Sequence, residues 1–388
     1  MSGALTHLIT QNQPSVPNEI NTAYEKVYSQ VSYGLPLTPN PSQFQASWTI
    51  RRFGDLVGGL VIRLDWPDWL SVYSHWTPYH FVERIVISGG GAPLLTLSGK
   101  QLYLLHHFQP SSLRETCLTA AKHGMLLIPS PFVLPLVGAG FMNFNVLLVY
   151  NNHSVCDVLQ EHWLKEGQDI FQQVNVPEDL VSLMRLYCEG LAKEEAEWSL
   201  LTDYQFLDLQ QRDAVVQNDH AVHIRNYEYI TLTLDPEHTQ LNLNLRNLMS
   251  SLFFAVEKPD QPFEFYSTSE DPVKHVVLKL NNTARETLVD GKDWLISDKL
   301  LNRLPLPEEV GIYSMTFQNS KDPKSYSLEY VGQNVAEFCS LNVDKINDLT
   351  LEIQLHDWVP PGAKVCISTE LLNILKTQQG MVGMAYAQ

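Results

Sequence analysis

Val82-Glu83-Arg84-Ile85-Val86-Ile87 runs through Gly89-Gly90-Gly91 to Thr96-Leu97-Ser98-Gly99-Lys100, and about 190 residues later the chain returns to the same theme. The second copy is Val273-Lys274-His275-Val276-Val277-Leu278, then Asn281-Asn282, then Thr287-Leu288-Val289-Asp290-Gly291-Lys292. Each copy reads as a strand of branched apolar residues, a turn rich in Gly or Asn, and a short second strand ending at Gly-Lys. A fainter pair lies upstream: Ile50-Arg51-Arg52-Phe53 before Leu60-Val61, and Leu245-Arg246-Asn247-Leu248 before Leu252-Phe253. Unless these short strings match by chance, two copies at so long a period imply two similar domains in tandem, not a solenoid.

The chain has 388 residues, of which 44% are hydrophobic, enough for two domains with substantial cores. A net charge of −17 argues against general affinity for nucleic-acid phosphates, which needs a basic surface, and against adsorption to anionic lipid. The five cysteines, Cys117, Cys156, Cys188, Cys339 and Cys366, are widely spaced and form no Cys-x-x-Cys pair. They read as small buried hydrophobes in a reducing compartment. No basic region followed by an apolar core opens the sequence, so no secretory signal is expected. The longest apolar run, Met125 to Val137, carries three prolines and is too short to span a bilayer. The sequons at Asn152-His153-Ser154 and Asn281-Asn282-Thr283 are therefore not expected to carry glycan. The expectation is a protein of the cytoplasm, or one assembled there.

Residues 1–40, polar and punctuated by Pro14, Pro17, Pro36 and Pro39, read as an N-terminal arm with one apolar patch at Leu5 to Ile9. Strand character follows from Phe44 to Leu64, from Met125 to Ile128 and from Phe141 to Tyr150. It resumes at Tyr227–Leu234, Leu241–Leu245, Val277–Leu280, Tyr326–Tyr330 and Leu349–Leu355. The aromatic stretch Trp66, Trp69, Tyr73, Trp76, Tyr79 and Phe81 is either a core wall between strands or a stacking platform for sugars. Between about 155 and 200 the period changes. Leu180, Leu183, Tyr187 and Leu191 fall at helical spacing after a Pro177-Glu178-Asp179 start. Asn, Gln and Thr on alternate strand positions suggest antiparallel sheets with one wet side. The domain reading is an arm at 1–40, a first β-domain at 41–213 with a helical insertion at about 155–200, and a second at 214–388. No βαβ rhythm appears.

No sharp catalytic constellation emerges. Ser98-Gly99-Lys100 fails as a phosphate loop because Leu94 and Gln101 stand where Gly and Ser or Thr are needed. Gly89-Gly90-Gly91 reads as a strand turn. His106-His107, or His75 with His80, lack the partners of a metal site on such a fold. Cys117 and His123 have no third group to orient them as nucleophile and base. No catalytic, cofactor-binding or metal-ligating residue is assigned, and no cofactor is expected. A rival reading is a bicupin-like metal-dependent or carbohydrate-active β-sandwich enzyme, since 43 acidic residues leave facing carboxylates open.

Taken in order, these pieces resemble the major capsid protein of nucleocytoplasmic large DNA viruses, the double jelly-roll lineage shared with tectivirus-like phages. Ala4-Leu5-Thr6-His7-Leu8 resembles the family's opening, and Arg52-Phe53-Gly54-Asp55-Leu56 its Arg-x-Gly-Asp-Leu strand. His80 to Gly90 is similar to a segment ending in Ile-Gly-Gly. Ile128-Pro129-Ser130-Pro131-Phe132 and Leu134-Pro135-Leu136 are similar to its proline-rich pieces. The most specific piece is Asp203-Tyr204-Gln205-Phe206-Leu207-Asp208-Leu209-Gln210-Gln211-Arg212 with His220 eight residues later. It aligns with the family's Tyr-x-x-Leu-Asp-x-x-Glu-Arg…His linker, although Gln211 replaces the Glu that would pair with Arg212. Gly311-Ile312-Tyr313-Ser314-Met315-Thr316-Phe317 resembles a late strand, and Asn373 to Tyr386 the family's ending. Glu337-Phe338-Cys339-Ser340 keeps only a remnant of Pro-Ser-Gly-x-x-Asn-Phe-Ser.

The resemblance implies an all-β chain of two tandem eight-stranded antiparallel jelly rolls with a helical insertion in the first. It implies a non-catalytic protein that forms homotrimeric, pseudo-hexagonal capsomers tiling an icosahedral virion shell. Its partners would be itself, neighbouring capsomers, minor capsid and penton proteins and possibly an internal membrane, with no direct nucleic acid.

Overall fold

The computed structural model describes residues 21–28, 43–64, 78–109, 111–128, 134–151, 198–207, 209, 212–213, 216, 220–234, 240–259, 263–281, 283–288, 291–302, 306–317 and 340–384. In the first half one sheet runs β1 (Asn21–Tyr28), β9 (Trp198–Phe206), β3 (Leu56–Leu64), β6 (Met125–Ile128), with the short β7 (Leu134–Pro135) also on β3. The facing sheet runs β2 (Gln43–Thr49), β8 (Phe144–Asn151), β4 (Val82–Gly89), β5 (Ala92–Leu97). The second half repeats the plan. One sheet is β10 (His220–Thr233), β18 (Lys364–Gln378), β12 (Leu248–Glu257), β15 (Ile312–Thr316), extended by β16 (Leu341–Asn342) on β12 and β19 (Met381–Met384) on β18. The other is β11 (Gln240–Asn242), β17 (Leu349–Leu355), β13 (Val273–Leu280), β14 (Thr283–Leu288).

Setting aside β7, β16 and β19, both halves follow one order. The first strand pairs with the last, the last with the third, and the third with the sixth, while the remaining four form the opposite sheet. That is jelly-roll winding, done twice. The short strands are additions to the expected set.

The repeat seen in the sequence maps onto equivalent elements. Val82–Ile87 and Val273–Leu278 lie in β4 and β13, which hold the same place in the two rolls. One part of that reading needs correction. Gly-Lys does not end a strand; it opens a helix in both copies, α1 (Gly99–His107) and α3 (Gly291–Asn302). A third helix, α2 (Ser111–Lys122), follows α1. Ser98 caps α1 by accepting a hydrogen bond from the Gln101 backbone N–H at 3.1 Å. The Ser-x-x-Gln pattern was the available signal, but the Gln101 side chain turns away and donates to Ser368 Oγ in the second roll.

Both glycines are required by contact. A β-carbon on Gly99 would collide with the carbonyl oxygens of Tyr79 and Val82, and one on Gly291 with that of Val273. In each roll the helix start is thus pressed against the first residue of the equivalent strand, β4 or β13. Gly99→Ala and Gly291→Ala are each expected to lower stability by about 1–3 kcal/mol, because backbone cannot yield as a side chain can. Urea unfolding checks this, with Gly140→Ala as the control, since nothing lies within 4 Å of its added carbon.

Two other expectations shift. Asn21–Tyr28, placed in the N-terminal arm, forms β1 and pairs along its whole length with β9, from Asn21↔Phe206 to Tyr28↔Ser199. Nearly all of the helical insertion (residues 152–197), most of the aromatic stretch (65–77) and Tyr326–Tyr330 lie outside the described residues, whereas 198–200 already belong to β9. The expected division at 213/214 falls between the end of β9 and the start of β10.

The two cores meet across β12. Leu252, Phe254 and Val256 point into the second roll, while Phe253 and Ala255 join the cluster of the first. Every residue of Leu248–Glu257 is buried, so this sheet has no wet side. Its outer face is covered by the first roll, where Phe108 at the end of α1 stacks on Phe253 with centroids 4.9 Å apart.

Candidate assembly surfaces

Register shows that both rolls stand side by side in the same orientation. At one end, where the helices begin, Lys100 of α1 meets Glu257 at the end of β12, with Nζ 2.6 Å from Oε1 and 2.8 Å from Oε2. At the other end the Phe141 backbone N–H, just ahead of β8, donates to the Gly380 carbonyl at 3.0 Å, in the turn between β18 and β19. The seam between the rolls is therefore pinned at both extremes.

Glu257 is 1% exposed at its side chain and accepts from the Phe263 backbone N–H at 2.7 Å as well as from Lys100. The Lys100 ammonium also lies 5.6 Å from the Phe263 ring centroid. Behind it on α1, Tyr103 stacks on Phe265 at 5.8 Å and meets the His107 ring edge-on at 4.4 Å. Burial, reinforced by the charges of Glu309 and Glu264, raises the Tyr103 hydroxyl's pKa. His106 is wholly buried. It takes the Tyr79 hydroxyl on Nδ1 and shares Nε2 with the Leu127 carbonyl at 3.0 Å, an arrangement that suits a neutral ring protonated at Nε2. Burial lowers its pKa to about 4, partly opposed by that carbonyl. His107 is 1% exposed, and neither of its ring nitrogens has a hydrogen-bond partner. Burial first, then the charges of Arg114 and His106, lower it to about 3.

The chain between the rolls is tied down by Asp55. Its Oδ2 accepts from the Leu207 N–H at 2.9 Å and its Oδ1 lies 3.3 Å from Arg212 Nε. Its backbone donates to Gln205 O at 3.0 Å and accepts from the Val137 N–H at 3.0 Å. Arg212, whose pairing was in question because Gln211 replaces a Glu, thus pairs with the Gly54-Asp55 loop. Asp55→Ala is expected to cost about 1–3 kcal/mol, mostly through the stranded Leu207 N–H, since Arg212 is half exposed. Limited proteolysis should then cut near residue 207 faster than in the parent.

Five exposed large hydrophobics, Phe53, Phe141, Leu209, Val216 and Met381, sit in connections at the end opposite the helices. Phe141 is 86% exposed. Phe53 packs edge-on against Tyr204 and Phe206, and Arg52 beside it donates to Ala139 O at 2.6 Å and to Met142 O at 2.5 Å. Apolar surface of this kind, held on a rigid frame, suits contacts between molecules.

The residues weighed for chemistry are scattered. His80 packs on Phe263 at 4.1 Å, and His75 lies outside the described residues. Cys117 is buried in α2 whereas His123 is exposed beyond its end. Gly90 and Gly91, with φ of 58° and 89°, make the β4–β5 turn. Among the described residues no three His, Cys, Asp or Glu side chains gather as a metal ion would need. No described helix is long and apolar enough to cross a membrane.

No family model matches the chain, and no curated protein does. Solved structures do. VP54 of the virus PBCV-1, fitted into a reconstruction of the virophage Sputnik, is 13% identical with a TM-score of 0.65 over 97% of this chain and 100% of its own. The quasi-atomic PBCV-1 capsid gives 13% and 0.64 over 97% and 100%. The Faustovirus major capsid protein gives 8% and 0.54 over 95% of this chain and 92% of its own. The chain has the double jelly-roll fold of these capsid proteins, wound in tandem over nearly its whole length.

Proposed function

We propose that the chain is a viral major capsid protein, structural and not catalytic, that resides in the virion shell. The observation that carries this reading is the end-to-end likeness to VP54, 97% of one chain against 100% of the other. Two parallel rolls, pinned at both ends of their seam, make a rigid brick with two similar faces. Three such bricks give six rolls, a pseudo-hexagonal outline that tiles a plane. Large side-by-side contacts between copies then supply the binding energy, in place of any single residue. Neighbouring capsomers, minor capsid and penton proteins and an internal membrane complete the proposed set of partners, and assembly takes place in the host cytoplasm. The exposed apolar end offers one of the required surfaces. Light scattering on the purified protein tests this. A mass about three times the 44.1 kDa chain is expected, with hexagonal outlines in negative stain. A monomer at all concentrations would overturn it.

A further inference from the structure

We propose that the helix-bearing end of the second roll carries a carbohydrate-binding platform centred on Trp358. The segment His356-Asp357-Trp358-Val359-Pro360-Pro361-Gly362 joins β17 to β18 at that end. Its turn is closed by the Val359 N–H to His356 O bond at 3.0 Å and by Gly362 at a φ of 94°, and it is anchored by the His356 N–H to Pro272 O at 2.9 Å. A single exposed apolar side chain is ordinary on a protein surface. Trp358 differs because it is 53% exposed and yet held in place. The buried Tyr266 meets the indole edge-on at 5.7 Å, and the His356 ring lies within 17° of parallel to it at 6.2 Å.

Polar groups of both kinds are fixed around this aromatic surface. Lys258 Nζ sits 5.3 Å from the Tyr266 ring centroid and pairs with Glu270 at 3.2 Å. Glu270 is in turn held by the Ser267 backbone N–H at 2.7 Å, which with Lys258 keeps its carboxyl pKa below the usual range although burial opposes this. Asp357 is exposed beside the indole. A neutral pyranose presents a flat C–H face that stacks on an indole, and a rim of hydroxyls that donate to carboxylates and accept from an ammonium. The nearby carboxylates and the net charge of −17 disfavour an anionic sugar. A flat ring on a turn offers no groove for a peptide helix. This inference does not depend on the capsid reading; a chain that forms no shell could still bear the platform.

The test uses the full chain, fluorescently labelled, on an array of glycans ending in glucose, galactose, mannose, N-acetylglucosamine or sialic acid. The monosaccharide ending the best-bound glycan is then titrated by tryptophan fluorescence. Binding to neutral termini is expected. Trp358→Ala should weaken it at least about tenfold, with Trp358→Phe in between, while solution mass and melting temperature stay unchanged. The proposal is overturned if no glycan is retained, if sialylated glycans are preferred, or if Trp358→Ala binds as well as the parent. It is equally overturned if Trp358→Ala changes the solution mass, which would make the platform a contact between copies.

Discussion

Lys100→Met is expected to destabilise the chain by about 3–5 kcal/mol, because it leaves the Glu257 carboxylate buried with its cation gone. The methionine keeps most of the lysine stem, so little packing is lost with the charge. The Phe263 N–H still donates to the carboxylate, but one neutral donor cannot replace an ammonium at 2.6 Å. The double variant Lys100→Met/Glu257→Gln removes the buried charge as well and should recover much of the loss. The interaction between the two changes, read from four urea unfolding curves, is the measure of the pair. The pair also joins the rolls at one end. Lys100→Met should therefore speed amide exchange on both sides of the seam, in α1 and in the last residues of β12. A cost below about 1 kcal/mol would mean that water reaches Glu257 and that the pair is a surface one in effect.

Acid should loosen the same seam. His106 and His107 are buried as neutral rings, and their folded pKa values of about 4 and about 3 lie below the ordinary 6.5. Between pH 6.5 and 4 the unfolded chain binds protons that the folded chain refuses. The contribution of these rings is thus fully present above pH 6.5 and is lost as pH falls toward the folded values. For His106 alone the shift corresponds to roughly 3 kcal/mol once pH reaches 4. His107 adds to this, since a proton there would find no acceptor. The groups facing the pair are Tyr79, Tyr103, Arg114 and Cys117, with the Leu127 carbonyl, and none of these side chains is a carboxylate that would hold a new positive charge. Urea midpoints should fall steeply between pH 6.5 and 4.5 in the parent and less steeply in His107→Phe, which keeps a ring beside Tyr103. Equal slopes in both proteins would assign the acid sensitivity to other groups.

Much of the architecture was legible before any coordinates. The strands Val82–Ile87 and Val273–Leu278 announced themselves by branched residues, and their recurrence pointed to two like domains, because period-two patterning is a local property of the chain. The Asp203–Arg212 linker was also readable as a unit. What was not legible depends on partners distant in sequence. Asn21–Tyr28 is mostly polar and became a strand only through pairing with β9, since strand propensity is largely a record of neighbours. Gly99 and Gly291 looked like turn residues closing a strand. Carbonyl oxygens of the segments they pack against, including Val82 and Val273, leave no room for a β-carbon, and that made them helix starts. Arg212 had no visible acid in its own segment, and its partner Asp55 lies more than 150 residues away. Leu248–Glu257 could be read as a strand, but not as one buried on both faces. That took the first roll laid against it. Local patterning thus determined the strands and their duplication. Only the tertiary structure decided which faces are dry, which charges pair and which end of the molecule is left apolar, because each of these is set by what another segment covers.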